Sequence, residues 1–324
     1  MVRKKLFVAC AALVATLGFA GGSYAQDKFP SRPINIVVPG PPGGGTDTII
    51  RKLAEVIEPE LGTKLVIENK PGGGGAIGVA LVTQARPDGY SLVFSHNGAL
   101  TTIQHTLQLP YTLESYQPII QIGYGSYVMC VAADFPANTA KEFLDELRSK
   151  PGHYTYGNDG VGSTMHLAAE QIFRKFDIKA KPVPFGGAGE TARNFLGGHI
   201  DIYGGSLPPV IAHVKAGKVK CLLLTQAANN PVVPQASGLK DLGIPELEVG
   251  LWWGLIGPKG LPDNVMKTLV AAFTKGAAHP AVQETLARIG ASPTVHGPDE
   301  YKAMIAQESA SLGEAAKAIG LLKK

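Results

Sequence analysis

INIVVPGPPGGGTDTIIRKLAE, residues 34–55, passes from a short β-branched stretch through a turn of prolines and glycines into a stretch of helical character. Ile50, Leu53, Ala54 and Ile57 recur at i, i+3, i+4 and i+7, which puts them on one face of a helix. Strand, glycine turn and helix in that order make the repeating unit of an α/β fold. The alternation continues through KLVIEN (64–69), YSLVFS (90–95), YVMCVAA (127–133), YTYGN (154–158), KPVPF (181–185), IDIYGG (200–205) and KCLLLT (220–225), with helix-patterned stretches between them. Strands alternating with helices predict largely parallel sheets joined by right-handed crossovers.

A chain of 324 residues is long enough for two cores. Two glycine-punctuated extended stretches, GYGSY (123–127) and EVGLWWGLIGPKGLP (248–262), read as the seams. Two crossings imply a discontinuous first lobe, residues 26–124 with 250–324, and a second lobe of residues 125–249. The helix-patterned tail, near 263–289 and 298–318, is expected to return to the first lobe.

The N-terminus places Arg3, Lys4 and Lys5 before an apolar run and ends in Ser23-Tyr24-Ala25, the layout of a secretory signal peptide cleaved after Ala25. Its loss lowers the net charge from +4 to about +1. The basic excess therefore belongs mostly to the leader, and no basic run interleaved with aromatics remains to bind nucleic acid. The expected compartment is the periplasm. Cys130 and Cys221 then remain, and either a disulfide or two buried thiols suits their apolar surroundings.

The glycine loops can be tested against nucleotide motifs. Gly40 and Gly45 have P-loop spacing, but Thr46 and Asp47 stand where Lys and Ser/Thr are needed. In NKPGGGGAIG (69–78), Gly73, Gly75 and Gly78 fit G-x-G-x-x-G. The next strand, however, runs into Ser95, His96 and Asn97 rather than the acid a dinucleotide ribose requires. What remains is a helix N-terminus with unpaired amides and partial positive charge, suited to a carboxylate. Asp47 is the expected N-cap there. YTYGNDGVGSTMHLAAE (154–170) repeats the layout, with Ser163 and Thr164 as N-cap candidates, and PFGGAGETARNFLGG (184–198) supplies a third turn. Two lobes closing face to face would bring such helix ends into one cleft as a carboxylate clamp.

No HExxH or paired Cys/His spacing points to a metal, no G-x-S-x-G to a serine hydrolase, and no cofactor is expected. His96, at a strand C-terminus, is the histidine placed to touch a ligand. Of Trp252 and Trp253, alternation sends one into the core and the other elsewhere. Phe94, Phe185, Tyr203 and Trp252 are the aromatics expected to flank a ligand ring.

Several segments taken in order carry a resemblance: PGPPGGGTDTIIRKLAE, VIENKPGGGGAIG, RPDGYSLVFSHNG, LPYTLESYQPI, GVGSTMHLAAEQI with PVPFGGAGETARNFLGGHIDIY, and LWWGLIGPKGLPDNV. Over nearly all of residues 26–324 the chain resembles the substrate-binding proteins of tripartite tricarboxylate transporters, the Bug family of periplasmic receptors. The resemblance implies an α/β, two-lobed periplasmic-binding-protein fold (type II-like) with two crossing strands as hinge, and no enzymatic activity. It assigns ligand binding to Gly43, Gly44, Gly45, Thr46 and Asp47 in the first loop and to Gly162, Ser163 and Thr164 in the second. His96, Asn97, Phe185, Asp201 and Gly205 complete the implied cleft. A third glycine in the first loop departs from the family pattern and suggests a bulkier ligand. The implied partners are a small-molecule carboxylate and membrane transporter subunits, with the receptor itself a monomer. An exported enzyme acting on a small acid, and a ligand-sensing partner of a membrane sensor, are the alternative readings.

Overall fold

A computed structural model describes residues 29–323; the leader lies outside them. Among the described residues the strands are β1 (Ile34–Val38), β2 (Leu65–Asn69), β3 (Ser91–His96), β4 (Tyr116–Ala132), β5 (Thr155–Asn158), β6 (Lys181–Pro184), β7 (Ile202–Ser206), β8 (Val219–Leu224), β9 (Gly250–Pro258) and β10 (Ala291–His296). The helices are α1 (Gly45–Leu61), α2 (Ala76–Thr83), α3 (Ile103–Thr106), α4 (Ala140–Ser149), α5 (Thr164–Lys175), α6 (Ala188–Leu196), α7 (Ile211–Lys215), α8 (Asp263–Ala277), α9 (Pro280–Arg288) and α10 (Pro298–Ala318).

The strand order is β2-β1-β3-β9-β4-β7-β5-β6, with β8 and β10 also bonded to β4. The expected parallel pairing holds on the flanks, where β1 joins β2 and β3, and β5 joins β6 and β7. The centre is antiparallel instead, because β4 and β9 run against each other and against their outer neighbours. β4 is 17 residues long and serves both halves of the sheet. Its first part pairs with β9 and β10, and its second with β7 and β8. The chain returns beside it, where Thr225 donates its amide to Tyr127 and accepts that of Val249 through its carbonyl.

Each half has its own core. Ile34, Ile36 and Val38 of β1 pack against Ile49, Ile50, Leu53, Ala54 and Ile57 of α1, the face that the helical period indicated. In the other half, Met129 and Val131 of β4 pack with Met165, Ala169 and Ile172 of α5. Cys130 and Cys221 lie opposite each other on β4 and β8 and form a disulfide, which resolves the two readings of these cysteines. Helix α10 belongs to more than the first half. Tyr301 and Ile305 pack with Val37, Trp252 and Ile256, whereas Leu312, Ala315 and Ala316 pack with Leu167 and Ala168 of α5. No described helix is long and apolar enough to cross a membrane.

Candidate functional site

The first loop follows β1 and opens α1. Its N-cap is Gly44, with no side-chain hydrogen bond to the first turn, which leaves the leading amides of α1 for an anion. Asp47, expected as the cap, lies inside the helix and reaches backwards. One carboxylate oxygen accepts the Gly43 amide (2.9 Å), and the other accepts Arg51 Nε (2.9 Å) and Asn69 Nδ2 (3.0 Å). Burial pushes this carboxyl up, but those donors together hold it below the usual carboxylate range. Asp47 is thus the tether that shapes the loop. Gly43, at φ +76°, turns in the left-handed region that its lack of a Cβ permits.

The second loop follows β5 and opens α5. Here the N-cap is Ser163, whose Oγ accepts the His166 amide (3.2 Å), and the Gly162 amide donates to His166 Nδ1 (3.0 Å). This helix end caps itself. Thr164 is buried and shares a 2.7 Å hydrogen bond with Thr102, on the segment after β3, so the contact joins the two halves. Gly162 packs closely on the same segment, since a Cβ there would stand 2.9 Å from Thr106.

Between the loops lies a cavity of about 440 Å³, lined by Gly43, Gly45, Thr46, Thr48, His96, Tyr127, Asp159, Ser206, Pro208, Pro209, Leu251, Trp253 and Ile289. Gly43, Gly45, Thr46 and His96 are therefore brought together. Gly44 and Asp47 support them from behind, and Gly162, Ser163 and Thr164 sit where the halves meet rather than on the cavity wall. Asn97 is fully buried, donating to the Gly250 carbonyl (2.8 Å) at the return crossing. Asp201 stands at the opposite end of the strands, accepting the Thr155 amide (2.7 Å) and hydroxyl (2.6 Å). Gly205 is packed against Tyr203, and Phe185 is half-buried against the second half's core.

The ring-flanking aromatics also differ from expectation. Phe94, Tyr203 and Trp252 are buried in the cores. Trp252 donates its indole N–H to Glu308 (2.9 Å) and meets Tyr301 edge to face. Its neighbour Trp253, on the other side of the strand, faces the cavity with Tyr127. Alternation within the WW pair was the available signal, and it leaves the side facing a ligand open until the strand's partners are known.

Besides the Tyr127 phenol, which burial pushes well up, two titratable groups line the cavity. Burial pushes the His96 imidazole down to about 4, so it is neutral. Its Nδ1 accepts the Gly98 amide (3.1 Å), which puts the ring proton on Nε2, as a donor. Asp159, which sequence reasoning passed over, follows β5 by one residue; burial pushes its carboxyl up to about 7, with the Thr191 hydroxyl pulling it down. No cluster of three metal-ligating side chains occurs among the described residues.

An open helix end and further donors gathered round a cavity, on a sheet whose halves share two crossing strands, define a solute-binding receptor of the periplasmic-binding-protein type. Residues 49–321 match the model of the tripartite tricarboxylate transporter family receptor, and the chain belongs to that family. Protein BugT of Bordetella pertussis is 28% identical over 307 residues, covering 94% of each chain. A TctC solute-binding protein from Polaromonas superposes with a TM-score of 0.80 at 32% identity, over 90% of this chain and 99% of that one. MatC from Rhodopseudomonas palustris, solved with bound malate, gives a TM-score of 0.72 at 25% identity, over 89% and 99%. These relatives are substrate-binding receptors rather than enzymes, which sets aside the reading of the chain as an exported enzyme.

Proposed function

We propose that the protein is exported to the periplasm after loss of residues 1–25, captures a small carboxylate in the cavity between the loops, and presents it to a membrane transporter. Residues 26–124 with 250–324 act as one lobe and residues 125–249 as the other, closing about β4 and the return crossing. The observation that carries this reading is the uncapped head of α1, with Asp47 drawn back to the Gly43 amide, opening on the cavity. One ligand carboxylate accepts the α1 amides, helped by the Nε2–H of His96. Trp253 and Tyr127 offer apolar surface for the ligand's body, which suits an aromatic acid or a di- or tricarboxylate. The malate bound by MatC supports a carboxylate ligand. Closure follows because the ligand gains contacts to both lobes only when they meet.

A thermal-shift series over aromatic, di- and tricarboxylic acids tests this. A true ligand at a hundred times its Kd adds about 2.7 kcal/mol of stability. A melting temperature that no carboxylate raises would overturn the assignment.

A further inference from the structure

Asp159 is the one acid among the cavity-lining residues, and no lysine or arginine lines the cavity with it. Its Oδ1 is buried and accepts no hydrogen bond. The near hydroxyls leave this oxygen unserved: that of Ser163 caps α5, and that of Thr191, which draws the carboxyl down from the value burial alone would give, is shared with the Gly187 and Asn158 carbonyls. A buried carboxylate oxygen left without a donor is costly, and a site that keeps one needs the donor from elsewhere. Across the cavity, the open amides at the head of α1 and the Nε2–H of the neutral His96 are donors, so the two walls have opposite demands.

We propose that the bound carboxylate also carries a protonated amine, and that Asp159 is the residue that reads it. The α1 amides take the ligand's carboxylate and Asp159 Oδ1 takes an N–H of its ammonium, which orients the molecule across the cavity. A charge-assisted hydrogen bond of this kind outweighs one from a neutral hydroxyl. A ligand bearing only carboxylates would set negative charge against Asp159, or require that side chain to hold a proton. This inference rests on the carboxylate-receptor reading above and narrows its ligand class to amino acids and related zwitterions.

Calorimetric titration of the purified protein at pH 8 tests it with two matched series. One is glutarate, 2-hydroxyglutarate and glutamate; the other is 3-phenylpropanoate, 3-phenyllactate and phenylalanine. In the series that fits the cavity, the amine member is expected to bind at least about tenfold more tightly than the unsubstituted acid, with the hydroxy acid between them. An unsubstituted or hydroxy acid that binds as tightly as the amine overturns the proposal while leaving the carboxylate reading intact. If no member of either series binds while another acid of the thermal-shift series does, this inference falls and the carboxylate reading stands; if no acid of either set binds, both fall. Asp159→Asn keeps the size and removes the charge, and is expected to erase the preference for the amine without weakening the unsubstituted acid. Asp159→Ser gives the same readout should the first variant fold poorly. A preference that survives both substitutions assigns the amine to another residue and overturns the role of Asp159.

Discussion

The two glycine loops share a pattern, strand then glycines then helix, yet they satisfy their helix ends in different ways. At α1 the cap is a bare glycine, and the nearby acid, Asp47, is turned back to hold the Gly43 amide. At α5 the cap is Ser163, its oxygen spent on the His166 amide, while the Gly162 amide is spent on the His166 ring. An open helix end is an anion site, whereas a closed one is a piece of scaffold. The second loop contributes to the cleft through what flanks the helix end instead: Asp159 before it on the cavity wall, and Thr164 after it at the contact with Thr102. A clamp that looked symmetric from its glycines has one wall rich in donors and one wall with an acceptor.

The largest effect is expected where the open end is held in shape. Asp47→Ala strips the acceptor from the Gly43 amide, Asn69 and Arg51 at once. About 3 kcal/mol of stability and about a hundredfold in carboxylate affinity should be lost together. Calorimetry beside thermal melts checks both, and near-normal binding by this variant would mean that α1 is not the anion end. The wild type carries a matching pH signature. A carboxyl held below its unfolded value contributes stability that is complete above that value and vanishes as pH falls through the folded one. Acid melts below about pH 4 should therefore converge on those of Asp47→Ala.

His96 gives the next effect, in a different window. With its folded value lowered to about 4, the unfolded chain takes up a proton first as pH falls. Stability from this group is thus complete above about 6.5 and declines towards 4, by at most about 3 kcal/mol. His96→Gln should flatten that part of the stability profile, and an unchanged profile would show that the ring is not held neutral.

Much of the first wall was legible in the sequence, because its signals are local. The spacing of Ile50, Leu53, Ala54 and Ile57 fixes the buried face of α1, and the glycines mark the loop before it. Pairing was less legible. The first part of β4 carries Pro118 and Gln121 within YQPIIQIG, and β10 carries Pro293, so neither reads as a regular alternation. Asp201 was drawn to the cleft by its place in a family segment, yet it precedes β7. In this sheet the cavity forms beyond the C-terminal ends of β1, β3, β5 and β7. That rule favours Asp159, one residue past β5, over Asp201. Asp201→Ala should leave ligand affinity unchanged.

The contact between the halves should come next in size. Thr164→Val leaves the buried Thr102 hydroxyl without its partner and removes a bond that exists only while the two segments meet. A cost of about 1.5 kcal/mol, or about tenfold in affinity, is expected. Replacing both threonines with valine should recover part of the loss, because two apolar groups leave no orphaned hydroxyl. A double variant as weak as the sum of the singles would show that the two hydroxyls do not act as a pair.

Within the two loops, the smallest effect on binding is expected at Ser163, the residue that the glycine pattern alone would rank beside Thr46. Its oxygen faces its own helix, so Ser163→Ala removes a cap and should cost about 1 kcal/mol of stability. Affinity should change by less than about twofold, because a tenfold loss needs 1.4 kcal/mol acting on the bound state alone. Denaturant melts read the first quantity and calorimetry the second. A large loss of affinity with unchanged stability would reverse the comparison: the hydroxyl would then be serving the ligand, and α5 would be a second open end like α1.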